Sequence, residues 1–275
     1  MTRPRPALIA TDLDRTMIYS RRAFETEMAA LPVVCVEQLD GAPLSYMTRD
    51  AALRLQALSA SVAVVPVTTR TVKQFKRVQL PGAPWHYAIT SNGGTILVDG
   101  VADARWRTTI DRQVRTGAEL AEIEARLRDR VSDSWVDTLR IADRLFVYLV
   151  AKPGLIPEDF VAEWDAWCRG RGWWVSRQGR KIYTIPTAVD KGRAVAEVVR
   201  RLRESGELSD DAPVFAAGDG ALDAPMLRAA DAAIRPRHGE LEYLGWTHPS
   251  LTVTRASGIR AGAEIVDWFL ERIPE

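Results

Sequence analysis

Cysteine is almost missing from this chain: the only two, Cys35 and Cys168, lie far apart and form no Cys-x-x-Cys pair, which excludes the usual thiolate metal sites. Such sparse usage points to a reduced, cytoplasmic setting. Histidine is scarce too, and His86 and His238 have no partner at metal-ligand spacing, so both are expected to be structural. No uncharged apolar run is long enough to span a bilayer. The run nearest the N-terminus, Ala7 to Ala10, is interrupted by Asp12, too early for the core of a secretory leader. Neither sign of charge is in excess. With 37 Lys and Arg against 36 Asp and Glu, the net charge of +1 argues against a nucleic-acid or membrane-surface partner. Low-complexity segments and short-period repeats are also missing. What remains is an ordinary globular composition, 47% hydrophobic and 27% charged, in 275 residues, enough for one large domain or a core with a smaller second domain.

Four apolar runs end in polar clusters. Ala7 to Ala10 leads into Thr11-Asp12-Leu13-Asp14-Arg15-Thr16, and Val62 to Val67 leads into Thr68-Thr69-Arg70. Tyr87 to Thr90 leads into Ser91-Asn92-Gly93-Gly94, and Pro213 to Ala217 into Gly218-Asp219-Gly220. With amphipathic helical patterns between them, these runs predict a parallel α/β sheet. Ligands bind at the carboxyl edge of such sheets, so polar residues distant in sequence are expected to converge there.

From about Arg105 to Thr184 the pattern becomes helix, strand, strand, helix, strand, strand. Helices are predicted over 116–131 and 157–169, with strands at 138–141, 145–150, 173–176 and 181–185. This repeat predicts one small sheet covered on one face by two helices. The chain therefore reads as a core of residues 1–104 and 185–275 with an inserted domain at 105–184. Of the nine tryptophans, Trp135, Trp164, Trp167, Trp173 and Trp174 fall in the insert, where they are expected to fill its core.

Asp12 and Asp14 place two carboxylates two residues apart at a strand end. Burying that much like charge is costly unless a cation or a proton compensates, and hard oxygen donors of this kind suit Mg2+. Gly218-Asp219-Gly220-Ala221-Leu222-Asp223 supplies a second acidic pair after a strand, Lys191 a cation at a helix start, and Thr68 a strand-end hydroxyl.

This set resembles the haloacid dehalogenase superfamily of phosphohydrolases, whose four motifs are an Asp-x-Asp-x-Thr strand end, a Thr or Ser strand end, a Lys, and a Gly-Asp-x-x-x-Asp strand end. All four occur here in that order across residues 12 to 223. The resemblance implies a Rossmann-like parallel-sheet core with an inserted α+β cap. It implies that Asp12 is the nucleophile and Asp14 the general acid and base. Asp12, Asp219 and the Asp14 main-chain carbonyl would hold Mg2+, with Asp223 supporting, while Thr68 and Lys191 would bind the transferring phosphoryl group. Relatives that drive transport usually have Thr at the position of Asp14, so Asp14 favours a phosphatase or phosphotransferase. Two positions depart from the common pattern, Arg15 in place of Gly and Leu222 in place of Asn. Arg15 either reaches into the site as an extra phosphate contact or pairs with an acidic neighbour.

An insert between the Thr68 and Lys191 motifs is similar to the type C2 caps of the sucrose-phosphate phosphatase, mannosylphosphoglycerate phosphatase and Cof-type group. Asn92 matches the Asn-Gly element that precedes such caps and joins the expected phosphate-binding set. Arg177, Arg180 and Lys181 either face an anionic or hydroxyl-rich substrate or form a solvated hairpin tip. The leading expectation is a phosphomonoesterase acting on a small phosphorylated metabolite, a sugar phosphate in preference to a nucleotide. A phosphotransferase or phosphomutase, and a non-catalytic protein that binds a phospho-ligand, stay open as alternatives; the intact motif set argues against the second.

Overall fold

Short strands of small and β-branched residues can be buried on both faces, and such strands build the sheet that carries the motifs. The computed structural model describes residues 4–25 and 31–273; Met1, Thr2 and Arg3 of the N-terminal segment lie outside them. In chain order the first elements are β1 (Leu8–Thr11), β2 (Val33–Leu39), β3 (Ala42–Thr48), α1 (Arg49–Ser61), β4 (Ala63–Pro66), α2 (Val72–Phe75), β5 (Tyr87–Thr90), β6 (Thr95–Val98) and β7 (Val101–Ala102). Next come α3 (Ala104–Val114), α4 (Leu120–Arg130), β8 (Val136–Ala142), β9 (Phe146–Ala151), α5 (Phe160–Arg169), β10 (Trp173–Gln178) and β11 (Lys181–Pro186). Last are α6 (Lys191–Glu204), β12 (Val214–Ala217), α7 (Ala224–Ala229), β13 (Ala232–Arg235), α8 (Glu240–Tyr243), β14 (Leu251–Val253) and α9 (Gly258–Leu270). The chain divides into two compact units, Met1–Ala102 with Lys191–Glu275, and Asp103–Asp190.

In the first unit five parallel strands run in the order β14-β13-β12-β1-β4. The buried strand β1 sits between two neighbours, Leu8 pairing with Val214 on one side and Ala63 on the other. α1 starts where the Thr48 hydroxyl accepts the Ala51 N–H, and it turns Ala51, Ala52, Leu55 and Leu58 inward. Leu55 and Leu58 join Ile9, Leu13, Val64, Phe215, Ile265 and Phe269 in one cluster, where burying each leucine contributes roughly 1.5–3 kcal/mol.

β5 meets the expected parallel sheet at a single point and otherwise belongs to a small sheet of its own. One parallel bridge joins Ile89 to Val67, just past β4, but the ladder of β5 runs antiparallel to β6, which pairs with β7. The cause is local: Ser91, Asn92 and Gly93 all take positive φ, at 52°, 57° and 96°, and fold the chain back on itself. The hairpin of β2 and β3 is an addition to the predicted elements. It turns at Asp40-Gly41, both at positive φ, the geometry that matches the twist of a tight hairpin.

The second unit is an antiparallel sheet in the order β10-β11-β9-β8, with α4 packed on β9 and α5 on β10. Of the five tryptophans expected to fill its core, Trp135, Trp164 and Trp173 are buried, whereas Trp167 and Trp174 are half-buried. Trp164 and Trp173 are fully buried, and their indole N–H groups donate to the Thr184 hydroxyl at 2.8 Å and the Ala118 carbonyl at 2.8 Å.

Candidate active site

β1 and β12 are adjacent and parallel, so the residues that follow them emerge side by side. Asp12 follows β1 and Asp219 lies two residues past β12; with Asp223 they place carboxylate oxygens within 4.8 Å of one another, all three residues buried. Lys191, the first residue of α6 and 1% exposed, points among them. Its ammonium donates to Asp12 Oδ1 at 2.6 Å and to Asp223 Oδ1 at 2.5 Å. The second oxygen of Asp223 accepts the N–H groups of Asp219 at 3.0 Å and Gly220 at 2.8 Å, so this carboxylate shapes the loop that presents Asp219. Leu222, the departure from the common pattern, is buried beside it in the same loop.

One ammonium cannot neutralise three carboxylates in a dry pocket. Burial raises Asp12 from 3.8 to about 7; Lys191 pulls it down, but Asp223 and Asp14 push it up again. Asp219 lies well above its ordinary value for the same reason, burial first and then the charges of Asp12 and Asp223. Burial disfavours the charged form of Lys191, but Asp12 and Asp223 outweigh it and keep the amine protonated. A cluster of hard oxygen donors left with net negative charge fits a divalent cation, and Asp12, Asp219 and Asp223 are the residues that would hold it.

Asp14 stands in a different environment. Its carboxylate is gripped by the Arg70 guanidinium, Nε to Oδ2 at 2.7 Å and Nη2 to Oδ1 at 2.7 Å, while 46% of its side chain faces solvent. The remaining nitrogen, Nη1, donates to Glu37 Oε1 at 2.7 Å. Neither Arg70 nor Glu37 was assigned a role from sequence. Arg70 ends the run Thr68-Thr69-Arg70, and a basic residue two places after the strand-end hydroxyl was the signal available; Glu37 lies on the hairpin that the periodicity did not predict.

Thr68 is fully buried, and its hydroxyl accepts the Arg70 N–H at 3.2 Å. Its carbonyl accepts the Asn92 N–H at 3.0 Å, and the Arg70 carbonyl accepts the Ser91 N–H at 2.7 Å. These two bonds hold the left-handed turn at residues 91–93 against the Thr68 loop and so bring Asn92 beside Thr68. Arg15 pairs with acidic neighbours, 3.8 Å from Asp219 and 3.8 Å from Glu25, with 43% of its side chain exposed. Its own φ is 63°, and His238 braces that turn. The ring accepts the Gly258 N–H at Nδ1, which leaves Nε2 carrying the proton it donates to the Arg15 carbonyl at 2.8 Å. Arg177, Arg180 and Lys181 belong to the second unit, where Arg177 Nε donates to the Gly179 carbonyl and Arg180 pairs with Asp137 and the Ala151 carbonyl.

No protein-family model and no curated protein sequence matches this chain. Solved structures do. The sucrose-phosphatase of Synechocystis sp. PCC6803, determined with sucrose and phosphate, superimposes with a TM-score of 0.66 over 96% of this chain and 98% of its own, at 15% identity. A sugar phosphatase of haloacid dehalogenase subclass IIB gives 0.56 over 96% and 98% at 11% identity. A trehalose-6-phosphate phosphatase related protein gives 0.54 over 95% and 96% at 20% identity. Along nearly its whole length, this chain has the fold of the haloacid dehalogenase phosphatases of subclass IIB, parallel-sheet core and inserted cap together.

Proposed function

We propose that the protein is a Mg2+-dependent phosphomonoesterase that works through an aspartyl-phosphate on Asp12 and takes a small phosphorylated substrate. The observation that carries this reading is the convergence of Asp12, Asp219 and Asp223, carboxylate oxygens within 4.8 Å of one another, around the buried Lys191 ammonium. Asp12 is buried against Lys191, whereas Asp14 is half-exposed in an arginine fork.

In this mechanism Asp12 attacks phosphorus as the ester P–O bond breaks, and Asp14, protonated in the substrate complex, gives its proton to the departing oxygen. Asp14, now a carboxylate, then takes a proton from the water that attacks the phospho-enzyme, releasing phosphate and restoring Asp12. Lys191 and the Thr68 hydroxyl bind phosphoryl oxygens, with Asn92 beside them, and Lys191 keeps Asp12 oriented before substrate arrives. Mg2+, held by Asp12, Asp219 and the Asp14 carbonyl with Asp223 in support, would offset the charge of the carboxylates and of the phosphoryl group. A sugar phosphate is the favoured substrate class; similarity of fold to phosphatases of that kind supports it.

The test is phosphate release from sugar phosphates, nucleotides, phosphoglycerates and aryl phosphates, with Mg2+ and with chelator. Mg2+-dependent release is expected, abolished by Asp12→Asn and reduced about 10²–10⁴-fold by Asp14→Asn. Undiminished turnover in Asp12→Asn would overturn the nucleophile assignment. Release only when a second acceptor is supplied would indicate a phosphotransferase.

A further inference from the structure

We infer that Glu37, on the β2–β3 hairpin, is a positioning residue for Asp14, acting through Arg70, so that the hairpin is part of the acid–base machinery; this rests on the role proposed above for Asp14.

The local sequence explains how a glutamate comes to be fully buried in a surface hairpin. Strand residues alternate between faces, so Glu37 should follow the buried Val36 on the outer side. It does not, because the ladder slips. Cys35 pairs with Tyr46 but Glu37 with Ser45, and the register shifts again before Gln38. Bulges re-aim side chains in this way, and here Val36 and Glu37 are both turned inward, at 2% and 0% exposure.

Every oxygen of the buried carboxylate is then occupied. Oε2 accepts the Ser45 hydroxyl at 2.6 Å, and Oε1 accepts Arg70 Nη1 at 2.7 Å and Arg77 Nη2 at 3.2 Å. Burial pushes its carboxyl up, but the hydrogen bonds and charges of these partners win and hold it below its ordinary value, so Glu37 is a fixed anion.

A guanidinium is a planar fork with five N–H donors. Two of the three nitrogens of Arg70 hold Asp14, and the third holds Glu37. Glu37 therefore sets the plane of the fork, and the fork sets where the Asp14 oxygens stand. Asp14 is the partly exposed member of the chain, Arg70 is mostly covered and Glu37 is sealed. The order runs from a rigid anchor to the group that would meet the leaving oxygen. Small errors of position in an acid–base group are expensive.

The test compares phenyl phosphate with 4-nitrophenyl phosphate, which are similar in shape but differ in how much the leaving oxygen needs a proton. In Glu37→Gln, kcat/KM for phenyl phosphate is expected to fall at least about tenfold, part of the range of general acid catalysis, and that for 4-nitrophenyl phosphate by less than about threefold. An equal loss on both substrates, or no loss on either, overturns the proposal. A crystal structure of Glu37→Gln reads the same question without turnover: the Arg70 guanidinium is expected to turn and carry the Asp14 carboxylate with it, and an Arg70–Asp14 pair superimposable on the parent's overturns the proposal even if the parent protein releases no phosphate. Failure of the parent on every ester, by contrast, strikes the phosphatase reading. Should Glu37→Gln not fold, Ser45→Ala, which removes one bond to Glu37, is expected to give the same asymmetry at smaller size.

Discussion

Gly218 is small because the next turn of chain already occupies its side-chain position: a Cβ there would meet the Asp223 side chain at 2.4–2.7 Å. Asp223 has its own reasons to stay, two loop N–H groups and the Lys191 ammonium. Gly218→Ala is expected to force Asp223 outward. The overpacking should cost about 1–3 kcal/mol in thermal unfolding, and Mg2+-dependent phosphate release should fall with it. An unchanged melting temperature would mean that the Asp223 loop yields freely and does not pin the site. Gly239, at φ 89°, meets a similar limit against Asp219, its Cβ falling 2.6 Å from Oδ2. The acidic loop is thus bounded by backbone on both sides.

Among the elements, α5 shows how the inserted unit holds itself together. Trp164 is buried under the sheet with its N–H on Thr184, and its ring stacks on Trp167 at a centroid distance of 4.9 Å. Trp164→Ala is expected to cost that unit about 3–5 kcal/mol, seen as an earlier unfolding transition in calorimetry. A melt indistinguishable from the parent's would show that the helix is held by its other contacts. This helix was legible as an amphipathic stripe and the four strands beside it as short apolar or alternating runs between turn signals. The motif strands β1, β4 and β12 were legible as apolar runs that stop at an acid or a hydroxyl. The β2–β3 hairpin was harder to read. Its inward glutamate and its bulge break the alternation that marks a strand, although Asp40-Gly41 carried the turn signal. The parallel approach of β5 to the core was legible, but its hairpin with β6 was not, because the three-residue left-handed turn at Ser91 to Gly93 is not a property of apolar pattern at all. The same limit applies to the site: Asp12, Lys191, Asp219 and Asp223 stand in recognisable spacing, whereas the Arg70–Glu37 link is set by register.

At the scale of the whole molecule, the buried charges oppose one another in pH. Asp12, raised from 3.8 to about 7, and Asp219, raised well above 3.8, hold protons more tightly folded than unfolded. Without metal the contribution of Asp12 is full below 3.8 and is lost as pH rises through about 7, and that of Asp219 has the same sign. Glu37 has the opposite sign: its contribution is present above 4.5 and is lost as pH falls through its lowered folded value. Metal binds the deprotonated carboxylates and competes with their protons. Metal-free protein is therefore expected to melt higher near pH 5 than near pH 8, and excess Mg2+ to raise the midpoint more at pH 8. A larger Mg2+ effect at pH 5 would count against the cluster as the metal site.

The central place of β1 also governs how the molecule is made. Leu8 pairs with Val214, so the chain must be synthesised into its last quarter before β1 has both neighbours. Asp103–Asp190, by contrast, is a continuous stretch that contains every strand of its own four-stranded sheet, and it is complete while Lys191 is still to come. As the chain leaves the ribosome, the inserted unit is free to fold first, while one apolar edge of the core waits unpaired, the interval in which such an edge is most in need of a chaperone.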